Sequence, residues 1–318
     1  MMCKILRKFR LNSSKFKVEV SKLLWNWHIT VKKSNFENPN SKKLQTLNCR
    51  GKLIDLSVPK VMGIINVTPD SFYDGGKTFS ENEVLKQAET MLSEGATFLD
   101  IGGYSTRPGA AEISEKEETY RVVAAIESVL QKFPETIISI DTFRSAVAQS
   151  AIEAGAAIVN DVSGGTLDAE MYKTVAKLKV PYILMHMRGT PQTMAKLTDY
   201  NNVTKEVLKD LSEKIALARK EGINDIIADP GFGFAKTRQQ SFQLLNNLEL
   251  FQNLDVPILA GISRKSLIYK TLETSAEFAL NGTTSLNTIA LLKGAAIIRV
   301  HDVKEAVECV KLFENLKS

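Results

Sequence analysis

Hydrophobic and polar positions repeat at two different periods along most of this chain. From about residue 53 onward, short runs rich in β-branched residues are separated by longer segments whose apolar residues lie three and four apart. The short runs span 61–65, 97–101, 136–140, 157–159, 182–185, 225–228, 256–260 and 296–299. Each is near-continuously apolar, as expected of strands covered on both faces. Between them, residues 120–130 place Val122, Val123, Ile126, Val129 and Leu130 on one helical stripe, and 203–220 and 276–292 follow the same rule. Gly95, Gly155, Gly222 and Gly294 stand between a helical segment and the next strand, where a left-handed C-terminal cap is wanted. Ser114 with Glu117 fits a capping box at a helix start.

Eight strand–helix repeats over about 260 residues predict the α/β class and a (β/α)8 TIM barrel. An open doubly wound sheet usually has fewer strands and a G-x-G-x-x-G first turn, which is absent. Residues 53–56, ahead of the first barrel strand, are expected to form a short hairpin plugging the barrel bottom. The catalytic domain therefore occupies 53–318, preceded by an extension over 1–45.

Charge changes the picture of that extension. The net charge of +5 is unevenly spread: residues 1–43 hold 11 Lys or Arg against Glu19 and Glu37, leaving 30 basic and 34 acidic residues in the rest. A nucleic-acid partner is therefore not expected for the barrel. The segment 1–45 predicts a basic, poorly structured or loosely helical extension outside the fold, with neither the apolar core of a secretory signal nor an Arg-rich transit composition. No run of about 18 apolar residues occurs, so no membrane span is expected. Cys3, Cys49 and Cys309 lack metal-ligand spacing and suit a reducing, cytoplasmic setting.

In such barrels the chemistry lies at the C-terminal ends of the strands. Here those ends carry Asn66, then Asp100 with Gly102 and Gly103, Asp141, Asn160 with Asp161, His186, Asp229, the segment Gly261 to Ser266, and Arg299 with His301. One polar strand end is commonly a turn or N-cap residue; eight of eight point to a polar ligand. The loops 66–76 and 102–110 are long and rich in Gly and Pro, as lids over a substrate would be. Arg107, Lys265, Arg299 and His301 converge on the barrel mouth, a pattern suited to phosphate or diphosphate. There is no P-loop and no H-E-x-x-H, which argues against P-loop triphosphate chemistry and a zinc site.

NVTPDSF at 66–72, GGYSTRPGA at 102–110, ND at 160–161, MHM at 185–187, DPGFGF at 229–234, SRKS at 263–266 and RVHDV at 299–303 together resemble dihydropteroate synthase. The resemblance covers the chain from about Leu53 to Ser318. It implies a pterin held by Asp141, Asn160, Met185, Asp229 and Lys265, and a diphosphate held by Asn66, Arg107, Arg299 and His301. It also implies a p-aminobenzoate pocket of Phe72, Thr106, Pro108, Phe234, Lys265 and Ser266, with Asp74 closing the first loop and Asn66 contacting Mg²⁺. The implied reaction joins 6-hydroxymethyl-7,8-dihydropterin diphosphate to p-aminobenzoate, with Asp141, Lys265, Arg299 and His301 as the catalytic set. A homodimer and inhibition by sulfonamides are implied as well. A barrel that transfers methyl groups from a folate to a corrinoid protein would share Asp141, Asn160 and Asp229. It would not need the SRKS loop or the R-x-H residues. Two departures stand out: Tyr104 where many members carry Glu, expected to alter loop packing, and Gly282, Thr283 and Thr284 at a helix start expected to lie away from the chemistry.

Overall fold

The computed structural model describes residues 45–67, 81–105 and 112–316. The extension over 1–44 and the loop positions Phe72, Asp74, Thr106, Arg107 and Pro108 lie outside them. Residues Leu44–Ser318 form one compact unit.

It begins with an antiparallel hairpin, β1 (Thr46–Cys49) and β2 (Lys52–Asp55). Arg50 and Gly51 both take positive φ, 54° and 86°, the backbone of a two-residue turn matched to strand twist. Leu47, Cys49, Ile54 and Leu56 are buried together with the lower ends of the barrel strands. The hairpin is thus the expected plug, but its first strand starts at Thr46, ahead of the 53–56 segment. Asn48 N–H donates to Asp225 Oδ2 at 2.9 Å, tying the hairpin to a barrel loop.

Eight parallel strands follow: β3 (Lys60–Asn66), β4 (Phe98–Gly102), β5 (Ile137–Asp141), β6 (Ile158–Asp161), β7 (Tyr182–Met185), β8 (Ile226–Asp229), β9 (Leu259–Ala260) and β10 (Ile297–Val300). Their order is β8-β7-β6-β5-β4-β3-β10-β9. A parallel bridge from Ala228 to Ile258, with Ala228 N–H on Pro257 O at 2.9 Å, joins the two ends. All eight expected strands form. The seventh is shortened from 256–260 to Leu259–Ala260 because Pro257 has no N–H to give the ladder.

Outside lie α1 (Glu81–Ser93), α2 (Glu115–Lys132), α3 (Ser145–Glu153), α4 (Met171–Leu178), α5 (Val203–Lys220), α6 (Arg238–Asn246), α7 (Ser266–Tyr269), α8 (Leu280–Leu292) and α9 (Val303–Asn315). Gly95, Gly155, Gly222 and Gly294 have φ of 101°, 119°, 101° and 94°, the expected left-handed caps. At Ser114 only half of the expected capping box is made. Its hydroxyl accepts Glu117 N–H at 3.1 Å, while the Glu117 carboxylate bonds Arg121 Nε at 2.8 Å. The complete box is at Thr237 and Gln240. α8 starts at Leu280 rather than 276, because the carbonyls of Ala276 and Glu277 accept from Arg264 Nη1 at 3.2 and 2.8 Å.

Strand alternation sorts side chains into layers. Met62, Phe98, Ile137, Ile158, Ile183, Ile227, Leu259 and Ile297 share the buried cluster that the hairpin caps, and so floor the barrel interior. Val61, Ile65, Leu99, Ile101, Ile138, Ile140, Val159, Tyr182, Leu184 and Ala228 belong instead to the cluster shared with the helices. Two residues above the eight floor residues, on the same inward face, stand Ile64, Asp100, Ser139, Asn160, Met185, Asp229, Gly261 and Arg299. In that step most strands change from apolar to polar, with Ile64 and Met185 keeping β3 and β7 apolar.

Candidate active site

Arg299 is the hub of that polar layer. Its Nε donates to Asp100 Oδ2 at 2.5 Å and its Nη2 to Asp141 Oδ2 at 2.7 Å, bridging β10 to β4 and β5. Asp100 is fully buried, and its Oδ2 also accepts Asn160 Nδ2 at 2.9 Å. A carboxylate oxygen facing the amide fixes which amide atom is nitrogen. Asn160 Oδ1 and its second N–H therefore remain for a ligand. Among the described residues, Asp100 Oδ1 accepts no hydrogen bond. Burial raises the Asp141 pKa; Arg299 opposes this and Asp100 adds to it.

Asp229 ends β8 with Oδ1 accepting Gly231 N–H at 2.7 Å. Burial raises its pKa, and Lys265 and the Gly231 N–H pull the other way. Gly261 leaves room beside both groups: a methyl there would stand 3.8 Å from Asp229 Oδ2 and from Lys265 Nζ. Lys265 Nζ donates to Phe232 O at 2.7 Å and lies 4.6 Å from the Phe234 ring centroid, a cation–π contact. Burial brings the Lys265 pKa down to about 8, with Asp229 acting against that shift.

The turn carrying Lys265 is braced from three sides. Arg264 takes φ 53°, donates its N–H to Thr283 Oγ1 at 3.0 Å, and forks onto Asp302 at 2.9 and 2.6 Å. Thr283, expected to lie away from the chemistry, is a buried support of this turn; its helix start reaches the site through space. Ser263 Oγ lies 3.0 Å from His301 Nδ1 and accepts the His301 N–H at 3.1 Å, linking the seventh and eighth strand ends. Ser266 is exposed at the start of α7.

Not every polar strand end serves a ligand. Asp161 Oδ1 accepts from the Ser163 N–H and hydroxyl, and Oδ2 from Gly165 N–H and Tyr182 OH, all within 2.6–2.7 Å. It is a turn residue on the helix-facing side. His186 is buried against Lys236, and burial with the surrounding cations drives its pKa down to about 2. Tyr104 packs edge-on to Phe143 at 5.1 Å, lies 5.3 Å from the Arg144 guanidinium, and accepts Gln192 Nε2 at 2.9 Å. Asp100 stands among the polar strand ends read from the sequence, but the assignment by resemblance misses its pairing with Arg299. Its inward place two residues above Phe98 could have revealed it.

Gly231 marks how closely the β8 loop approaches β7. Its φ is 70°, and a methyl there would meet the His186 carbonyl at 2.2 Å. Gly231→Ala is expected to cost about 3 kcal/mol, combining backbone strain and overpacking. Chemical denaturation measures it; an unchanged midpoint would contradict the tight contact.

Among the described residues no group of three or more His, Cys, Asp or Glu could hold a metal ion, and no helix is long and apolar enough to cross a membrane. A profile of pterin binding enzymes matches residues 62–301. Escherichia coli K12 dihydropteroate synthase is 43% identical over 274 residues, covering 84% of this chain and 95% of the relative. The Xanthomonas albilineans dihydropteroate synthase structure with 4-aminobenzoic acid superimposes with a TM-score of 0.81 at 37% identity, covering 87% of this chain and 99% of that one. The same enzyme in complex with 7,8-dihydropteroate gives 0.78 at 35% identity, covering 86% and 99%. With a polar layer of carboxylates, amide and cations above an apolar floor, and these relatives matching it along most of their length, the chain belongs to the dihydropteroate synthase family of pterin-binding enzymes.

Proposed function

We infer that this chain joins 6-hydroxymethyl-7,8-dihydropterin diphosphate to p-aminobenzoate, giving 7,8-dihydropteroate and diphosphate. The observation that carries the reading is the inward cluster of Asp100, Asp141, Asn160, Asp229, Lys265 and Arg299 over the apolar floor. An aminated, oxygenated ring needs both donors and acceptors on its rim and apolar contact on its faces. Asp229 suits the N–H donors of the pterin's amino edge, Asn160 Oδ1 takes a further donor, and Lys265 donates a hydrogen bond to a ring oxygen or nitrogen. Met185, 3% exposed on the same inward face, supplies apolar contact.

In the reaction, the carbon–oxygen bond between the pterin methylene and the diphosphate breaks, and the electron pair leaves with the diphosphate. The aniline nitrogen then forms the new carbon–nitrogen bond and loses a proton. This is transfer of an alkyl group other than methyl. When all are ionised, three carboxylates (Asp100, Asp141, Asp229) face two cations (Lys265, Arg299) inside the barrel. The remaining negative charge has the right sign to favour a cationic methylene. The diphosphate would leave toward the mouth, where Arg299 and His301 stand at the end of β10; the resemblance adds Arg107 to this set.

Mg²⁺ would be met at the end of β3 by Asn66. Asn66 offers one neutral, half-buried amide oxygen, suited to an ion that keeps most of its waters and shares phosphate oxygens. When bound it supplies positive charge to the leaving group. Phe234, Lys265 and Ser266 would form the described part of the p-aminobenzoate pocket, with Phe72, Thr106 and Pro108 from the loops.

Purified protein incubated with the pterin diphosphate, p-aminobenzoate and Mg²⁺ is expected to yield dihydropteroate. No product above background, with the pterin diphosphate bound, would overturn the reading. The Lys265 pKa of about 8 adds a pH dependence. A depressed lysine pKa means the ammonium is lost as pH rises through 8, so kcat/KM for the pterin substrate should fall on the alkaline side near pH 8. Lys265→Arg should remove that limb, because guanidinium does not titrate there. A limb unchanged in Lys265→Arg would assign it to another group.

A further inference from the structure

Lys236 is a buried lysine to which the reaction assigns no role. Its Nζ is met by neutral groups: His186 Nδ1 at 2.8 Å, the carbonyls of Gly231 and Phe234 at 2.9 Å each, and the His186 carbonyl at 3.4 Å. The chain coils to bring those carbonyls together. Gly231, Gly233 and Ala235 take φ of 70°, 79° and 48°, and for Ala235 this backbone costs about 1 kcal/mol. Burial with neighbouring cations keeps His186 neutral, and in the tautomer with its proton on Nε2 the Nδ1 facing Lys236 accepts.

The same coil carries the groups that touch Lys265. Phe232 O accepts Lys265 Nζ at 2.7 Å, and the Phe234 ring lies 4.6 Å from it. Phe234 thus gives its carbonyl to Lys236 and its ring to Lys265, and Phe232 lies directly after Gly231, whose carbonyl Lys236 also holds. We propose that Lys236 is a positioning residue: its Nζ ties the 231–235 coil to the end of β7 and so aims the Phe232 carbonyl and Phe234 ring at Lys265. This rests on the assignment of Lys265 to the pterin. It also gives His186 a role, as the strand-end acceptor that anchors the clamp.

A double-mutant cycle read by calorimetric binding of the pterin diphosphate tests it, with thermal melting to establish that each variant is folded. Lys236→Met keeps the stem and removes the donors. It should weaken binding about tenfold in the wild-type background and less than about twofold in Lys265→Met, since interacting residues are non-additive. Wild-type affinity in Lys236→Met, or the same fold loss in both backgrounds, would overturn the proposal. Wild-type affinity in Lys265→Met would instead overturn the assignment of Lys265, and the coupling with it. If Lys236→Met does not fold, His186→Asn and His186→Leu replace it. Asparagine Oδ1 takes the place of Nδ1, so binding should be several-fold tighter in His186→Asn than in His186→Leu. Equal binding by the two would equally overturn the clamp.

Discussion

Asp229→Asn is expected to lower kcat/KM for the pterin diphosphate by about 100-fold. The neutral amide can still accept the Gly231 N–H that now bonds Oδ1 at 2.7 Å, so the β8 loop should keep its path. What is lost is an anionic acceptor for the pterin's N–H groups. Hydrogen bonds to a charged partner contribute about 1.5–3 kcal/mol, and about 1.4 kcal/mol is tenfold. A second consequence separates this from general damage. Asp229 is the group that opposes the burial-driven fall of the Lys265 pKa. Without it the ammonium is held less firmly, so the alkaline limb should move below pH 8. Steady-state kinetics across pH 6–9, a range of about three units around the limb, reads both effects. Near-wild-type turnover would remove Asp229 from the pterin site.

Arg299→Met should produce the largest loss of stability among the site variants as well as loss of turnover. The guanidinium is the shared partner of Asp100 and Asp141, whose side chains are 0% and 18% exposed. Removing one member of a buried pair leaves uncompensated charge, costing about 3–5 kcal/mol. For a chain of this size that is a fall of about 10 °C in melting temperature. The cost should depend on pH. Without the cation, Asp141 is held even further above the ordinary aspartate range than burial already holds it. The folded variant then binds more protons than the unfolded chain, so its stability falls as pH rises through the region above the ordinary aspartate pKa. The gap from wild type should therefore open as pH rises above about 7, where wild-type Asp141 ionises and the variant's carboxyl is still protonated. A gap that narrows with pH would contradict the unpaired-carboxylate explanation.

Most of the barrel was legible because each strand is a β-branched run and each intervening helix shows an apolar stripe. The seventh strand was overread because Pro257 sits inside an otherwise apolar run and withholds a ladder donor. The start of α8 was overread because the carbonyls of Ala276 and Glu277 are diverted to Arg264, a contact between segments more than ten residues apart. In the site, strand-end position alone placed Asp161 among the ligand-facing residues and left His186 without a contact. Strand parity separates them. Asp229 stands two residues above the inward Ile227, whereas Asp161 follows the helix-facing Val159 and His186 follows the helix-facing Leu184. The same parity identifies Asp100 as an inward carboxylate above Phe98. Thr283 and Lys236 had no such signal. Their contacts join backbone groups across loops, and no residue spacing encodes which carbonyls will converge on an ammonium.

The most direct measurement is a crystal structure of this protein with 7,8-dihydropteroate bound. The pterin ring is expected above the floor formed by Phe98, Ile137, Ile158 and Ile227. Its amino edge should lie within hydrogen-bonding distance of Asp229, its rim against Asn160 and Lys265, and its benzoate toward Ser266. A ring bound outside the barrel mouth, with Asp229, Asn160 and Lys265 making no contact to it, would contradict the division of the strand ends.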